Sequence, residues 1–119
     1  MAEEIAKSYL LGTNIVQLHK VDSGKFDFII TKRDSHYKRI GIQVKGSKYT
    51  KRELLKIYRL ERQRCVRNKF PVIMLYINYD TKKGLIEVID KRLTDQLIPL
   101  TTEILKREIK RITARNTRN

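Results

Sequence analysis

Phe26-Asp27-Phe28-Ile29-Ile30 and Ile40-Gly41-Ile42-Gln43-Val44-Lys45 decide how the chain folds. Both runs are rich in β-branched and aromatic residues, and they predict strands over about 25–32 and 38–46. Successive side chains of a strand point to opposite faces. Gln43 and Lys45 therefore share one face, and Ile42 and Val44 take the other. The polar link Arg33 to Tyr37 reads as an exposed hairpin loop. If the two strands pair, Asp27 comes close to Gln43 and Lys45. A carboxylate, an amide oxygen and an ammonium at one place on a sheet describe a site rather than a core.

Working outward, Ile5, Ala6, Tyr9 and Leu10 recur at helical spacing, and Gly12 ends that helix. Asn14 to Val21 reads as a strand, and Asp22-Ser23-Gly24-Lys25 as a turn. After Gly46-Ser47 a long helix is expected over about 51–68. Leu54, Leu55, Ile57, Tyr58, Cys65 and Val66 fall on one half of it, and Arg52, Lys56, Arg59, Gln63 and Arg67 on the other. Phe70 to Ile77 is almost continuously apolar, which suits a central strand buried on both faces, with Pro71 at its start. A turn at 80–84 leads to a strand over 85–89. A last helix runs from about Thr102, capped by Thr101 or Thr102, with Ile104, Leu105, Glu108, Ile109 and Ile112 on one stripe and Lys106, Arg107, Lys110 and Arg111 on the other. The residues from Arg115 onward are expected to fray. The predicted order is helix, three strands, long helix, two strands, helix. That is an α/β chain with a mixed central sheet flanked by helices, in which the strands on either side of the long helix run parallel.

The chain has 119 residues, which is one domain. Lys and Arg number 27 against 13 Asp and Glu, for a net charge of +14. A domain this basic attracts polyanions, of which nucleic acid is the commonest in a cell. Charge enrichment for high temperature would bring Glu along with Lys, and here it does not. No apolar run approaches a membrane span, and the opening Met1-Ala2-Glu3-Glu4 is acidic, unlike a signal peptide. A soluble, cytoplasmic protein without membrane partners is expected. Cys65 is alone, so it forms no intrachain disulfide and no Cys-based zinc site. Ser8, Ser23, Ser35 and Ser47 show no spacing that suggests a His–Asp relay, and no glycine-rich phosphate loop occurs. Serine hydrolysis and use of a nucleotide cofactor are not indicated.

Hydrolysis of a phosphodiester needs a divalent cation to polarise the phosphate and acidify a water, and a positive group near the developing charge. Magnesium takes hard oxygen ligands and keeps several waters. Asp27 offers a carboxylate, Gln43 an amide oxygen, Val44 a main-chain carbonyl and Lys45 the ammonium. Glu3 or Glu4, on the first helix, would add a second carboxylate. Glu3 is favoured, because it lies three and seven residues before Ala6 and Leu10 and so shares their helical face. Ser47, Lys48, Arg52, Lys56, Arg59 and Arg67 are candidate phosphate contacts.

Asp27 followed by Gln43-Val44-Lys45 resembles the PD-(D/E)XK nuclease superfamily in its QxK variant. The wider pattern is similar to small archaeal Holliday-junction resolvases and to a homing endonuclease of that fold. It comprises a Glu on a first helix, "Phe-Asp-Phe-Ile-Ile", "Ile-Gln-Val-Lys-Gly-Ser", a basic helix and "Phe-Pro-Val-Ile-Met-Leu-Tyr-Ile". It covers about residues 3–90 and leaves the C-terminal basic helix, about 101–114, outside. The resemblance implies a restriction-endonuclease-like αβββαβ core. It implies Asp27 and Gln43 as metal ligands with Val44 and Glu3 or Glu4, Lys45 as the catalytic lysine, and Mg²⁺ as cofactor with Mn²⁺ able to substitute. It further implies a homodimer cutting DNA, branched or duplex. Sequence-specific cleavage, or an inactive nucleic-acid-binding protein on the same fold, are the alternatives. Two departures stand out: Gln43 replaces the usual carboxylate, and Phe26 stands where the motif has Pro.

Overall fold

The computed structural model describes residues 2–20, 26–46, 70–89 and 97–115. Their elements are α1 (Ala2–Gly12), β1 (Val16–Lys20), β2 (Phe28–Lys32), β3 (Ser35–Gly46), β4 (Val72–Ile77), β5 (Gly84–Ile89), β6 (Ile98–Pro99) and α2 (Thr102–Arg115). The expected helix over 51–68 lies outside the described residues. So do Ser47, Lys48, Arg52, Lys56, Arg59 and Arg67.

The six strands form one sheet in the order β1-β2-β3-β4-β5-β6. Each neighbouring pair is antiparallel except β3 and β4, which run parallel with Gly41 beside Val72 and Lys45 beside Tyr76. The fold is therefore α/β, with a mixed sheet and two described helices. β4 is central and buried along its whole length, as its unbroken apolar run requires. Pro71, lacking an N–H, stands just before it, and its carbonyl accepts the Gly41 N–H at 3.0 Å.

The alternation of β2 and β3 divides the molecule into two cores. Phe28, Ile30, Ile40, Ile42 and Val44 pack with Ile73, Leu75 and Ile77 under Ala6 and Leu10 of α1 and Leu105, Ile109 and Ile112 of α2. Both described helices thus cover one face of the sheet. The other face carries Phe26, Val72, Met74, Tyr76, Ile89 and Leu97. Spacings of four and three put Leu105, Ile109 and Ile112 on one stripe of α2. The Thr101 hydroxyl accepts the Ile104 N–H at 3.1 Å and caps that helix. At its other end the buried Lys38 ammonium donates to the Thr113 carbonyl at 2.7 Å, a cation at the negative end of the helix dipole. No helix among the described residues is long and apolar enough to cross a membrane.

Several boundaries differ from the sequence reading, among them β2, which starts at Phe28 rather than at about residue 25 and so leaves Asp27 just before the strand. The connection expected over Arg33 to Tyr37 is a turn at Arg33 and Asp34, and β3 begins already at Ser35. A shift of register after Thr31 absorbs the difference. β1 starts at Val16 rather than Asn14, because Asn14 takes a left-handed φ of 60°. β6 has no counterpart in the sequence reading, and it contains Pro99. The proline is tolerated on this two-residue edge strand, which pairs Leu85 with Pro99 and Ile86 with Ile98 along the outer side of β5.

Gly41 sits in mid-strand for a steric reason. A Cβ there would stand 2.8 Å from Cε1 of Phe26 and 3.0 Å from two more ring carbons, so the ring lies flush on the β3 backbone. Phe70 packs against the same ring, with centroids 5.7 Å apart. We expect Gly41→Ala to lower the unfolding free energy by about 1–3 kcal/mol through overpacking. In chemical denaturation, the double variant with Phe26→Leu should lose less than the sum of the two single changes. Strict additivity would show that the ring does not rest on Gly41.

Candidate functional site

The register Phe28 to Ile42, continued one pair beyond Asp27, would set Phe26 opposite Val44. It does not, because Phe26 has turned onto the Gly41 face. Asp27 is left to close the ladder by itself. Its N–H donates to the Ile42 carbonyl at 3.0 Å, and its Oδ2 accepts the Val44 N–H at 2.7 Å. The carboxylate therefore occupies the place of the acceptor that a continuing strand would have offered. A bond this short to an ionised acceptor is among the stronger hydrogen bonds. It leaves Oδ1 outside that contact.

The two bonds bracket Gln43, so Asp27 lies against the backbone of the residue the sequence paired with it. The N–H and C=O of one strand residue project to the same side, as the paired bonds of an antiparallel ladder require. The Val44 carbonyl hence points toward β2's side, past Phe28, where the ladder stops. One carboxylate and one main-chain carbonyl are brought together at the end of β2. Gln43 and Lys45 are half-buried on the opposite face from Ile42 and Val44, next to Met74 and Tyr76 respectively.

The two glutamates of α1 part company. Glu4 lines a cavity of about 430 Å³ together with Ser8, Tyr9, Lys82 and Thr102, on the β5 side of the helix. Lys7 and Leu11, one and two turns after Glu3, line a different cavity with Val16, Leu18 and Phe28, on the β1–β2 side. Glu4 thus stands on the β5 side of α1, and Glu3 lines neither cavity. Glu3 does not share the inward face of Ala6 and Leu10, however: those two are buried and Glu3 is exposed. The start of α1 nonetheless reaches the end of β3, for a Cβ on Gly46 would meet that of Ala2 at 3.2 Å.

One acidic residue near this face went unread in the sequence. Glu87 is completely buried and accepts the Tyr76 hydroxyl at 2.9 Å. It lies across Met74 from Gln43, in a row that continues from β3 through β4 to β5. The signal was an acid on a strand between Leu85 and Ile89, two apolar residues of the same face.

No family model and no curated protein matches this chain.

Among the described residues no three His, Cys, Asp or Glu side chains converge to hold a metal ion. A divalent cation at the end of β2 would depend instead on a mixed oxygen set. Asp27, the Val44 carbonyl and the Gln43 amide are all hard donors, and they leave several positions to water, as magnesium prefers. The donor chemistry fits that ion, with a single negative charge unless Glu3 contributes a second. We expect Asp27→Ala, which strands the Val44 N–H, to cost about 1–3 kcal/mol in chemical denaturation. Asp27→Asn, whose amide oxygen still accepts, should cost clearly less. Equal losses would mean that the bond to Val44 does not hold the turn.

Proposed function

We propose that this protein is a Mg²⁺-dependent DNA endonuclease of the PD-(D/E)XK type, acting on branched DNA as a homodimer. The observation that carries the reading is the Asp27 carboxylate clamped beside the Val44 backbone, one residue from Gln43 and one from Lys45. The order of elements supports it: a helix, an antiparallel run of three strands, then a parallel strand reached by a crossover. That order is compatible with the αβββαβ core. The charge of +14 supplies the attraction for a polyanion.

In this reading Asp27, the Gln43 amide, the Val44 carbonyl and Glu3 would hold a divalent cation, which when bound would supply polarisation of the scissile phosphate and a more acidic water. Lys45 orients that water or stabilises the developing charge. A basic surface recognises backbone and shape rather than base sequence. Branched DNA with two strands to cut matches a twofold enzyme.

One observation favours a second reading, a nucleic-acid-binding protein with a silent site. Gln43 is neutral, and no cluster of three acidic or imidazole ligands occurs among the described residues. A cleavage assay on a synthetic four-way junction and on plasmid, with Mg²⁺ or Mn²⁺ against EDTA, separates the two. We expect junction cutting that needs metal and falls at least about a hundredfold in Asp27→Ala and Lys45→Ala. Glu3→Gln should impair it and Glu4→Gln should not. Both alanine variants should bind DNA as the wild type does, with affinity falling steeply as salt rises. Absence of metal-dependent cutting on any DNA or RNA would leave only the binding reading.

A further inference from the structure

The turn between β4 and β5 places an aromatic ring at the end of β3, on the α1 face of the sheet and across the β3 backbone from the Lys45 side chain. β4 ends with Ile77 beside Gly46, the residue after Lys45. Two residues on, Tyr79 folds back over that glycine: a Cβ on Gly46 would meet its Cδ1 and Cε1 at 3.1 Å. The ring therefore lies close to the Lys45–Gly46 backbone and to the first residues of α1. It is also 39% exposed, which among the described residues only Leu11 matches for a large apolar side chain.

Single exposed apolar residues are ordinary. What distinguishes Tyr79 is where it stands and how firmly it is held there. Asn78 builds the turn on both sides of it. Its Oδ1 accepts the N–H groups of Asp80 at 2.9 Å and Thr81 at 3.2 Å. Its N–H donates to the Lys83 carbonyl at 2.9 Å, and its carbonyl accepts the Lys82 N–H at 2.8 Å. Lys82 is fixed in a left-handed conformation with φ 62°. On the other side the Tyr9 hydroxyl donates to the Lys82 carbonyl at 2.9 Å and ties the turn to α1. An aromatic ring on so ordered a turn loses little conformational entropy when something stacks on it. The turn also exposes Lys82 and Lys83, against one acid, Asp80.

The geometry points to Tyr79 as a stacking platform for an unpaired nucleobase, selecting single-stranded or splayed nucleotides at the rim of the sheet, one residue past Lys45 of the proposed Asp27–Lys45 centre. Every base presents a π-face, so the contact tolerates any sequence. A base inside a duplex already has both faces covered by its neighbours and gains nothing from the ring. Lys82 and Lys83 supply the neighbouring phosphates with countercharge. The inference rests on the reading of that centre as a nucleic-acid site, and it adds which form of nucleic acid enters.

Binding in EDTA tests it apart from catalysis. The probes are a short fluorescein-labelled oligothymidylate, a blunt duplex of equal length, and a single strand carrying 2-aminopurine. Tyr79→Leu keeps an apolar side chain on Gly46 and Ala2 but removes the π-face, whereas Tyr79→Phe keeps the face. We expect Tyr79→Leu and Tyr79→Ala to bind the single strand about 5- to 100-fold more weakly, and Tyr79→Phe to bind it as the wild type does. Duplex affinity should be the same for all four proteins. Wild type should quench 2-aminopurine, and Tyr79→Leu should not. Single-strand affinity unchanged in Tyr79→Leu, or equal losses on single strand and duplex, would overturn the platform. Loss of single-strand binding in a protein that never cuts would retain the platform and overturn the nuclease reading.

Discussion

The hydrogen bond from the Val44 N–H to the Asp27 carboxylate is the contact on which the proposed centre depends. It exists because the ladder between β2 and β3 is interrupted one pair early. Gly41 has no side chain, so the Phe26 ring can lie on the β3 backbone, in a core shared with Phe70, Val72 and Met74. With Phe26 drawn to that face, the Val44 N–H loses its natural main-chain acceptor. A buried N–H left unpaired costs about 1–3 kcal/mol, and the Asp27 side chain removes that cost. One packing decision at Gly41 thus sets both the end of a strand and the orientation of a carboxylate.

The division of the sheet into two faces places the rest. Ile42 and Val44 are committed to the core under α1 and α2. Gln43 and Lys45 are thereby committed to the face of Met74 and Tyr76. That face is not purely apolar, since the buried Glu87 and the Tyr76 hydroxyl bond to one another there. Buried polar pairs of this kind are stable only when satisfied, and they narrow the ways a face can pack. The ends of β3 and β4, the start of α1 and the turn around Asn78 then gather at one rim of the sheet, where Tyr79 sits on Gly46.

Much of this was readable in the residues. The period-two pattern around Gln43 and Lys45 assigned their face correctly, and the unbroken run Phe70 to Ile77 correctly marked a central strand parallel to the one before the crossover. Residue type narrowed the cap of α2 to Thr101 or Thr102, and the bond to the Ile104 N–H belongs to Thr101. What periodicity could not reach were contacts set by non-local packing. Gly41 was visible as a glycine inside a strand, but only the fold shows that Phe26 fills its place. Helical spacing aligned Glu3 with Ala6 and Leu10, but it stands in the first turn of α1 and is exposed where those two are buried. Glu87 was missed because its partner, Tyr76, stands eleven residues away on a neighbouring strand. Asp27's bond to a main-chain N–H has no signature in the sequence at all.

The central claim is that a divalent cation binds at the end of β2, and it can be located without any nucleic acid. Substoichiometric Mn²⁺ added to isotope-labelled protein broadens the amide resonances nearest the ion. The account predicts that the amides of residues 26–28 and 43–46 broaden first, that excess Mg²⁺ restores them, and that Asp27→Asn abolishes the effect. Broadening centred on another acidic group, such as Asp80 or Glu108, or unchanged broadening in Asp27→Asn, would contradict it.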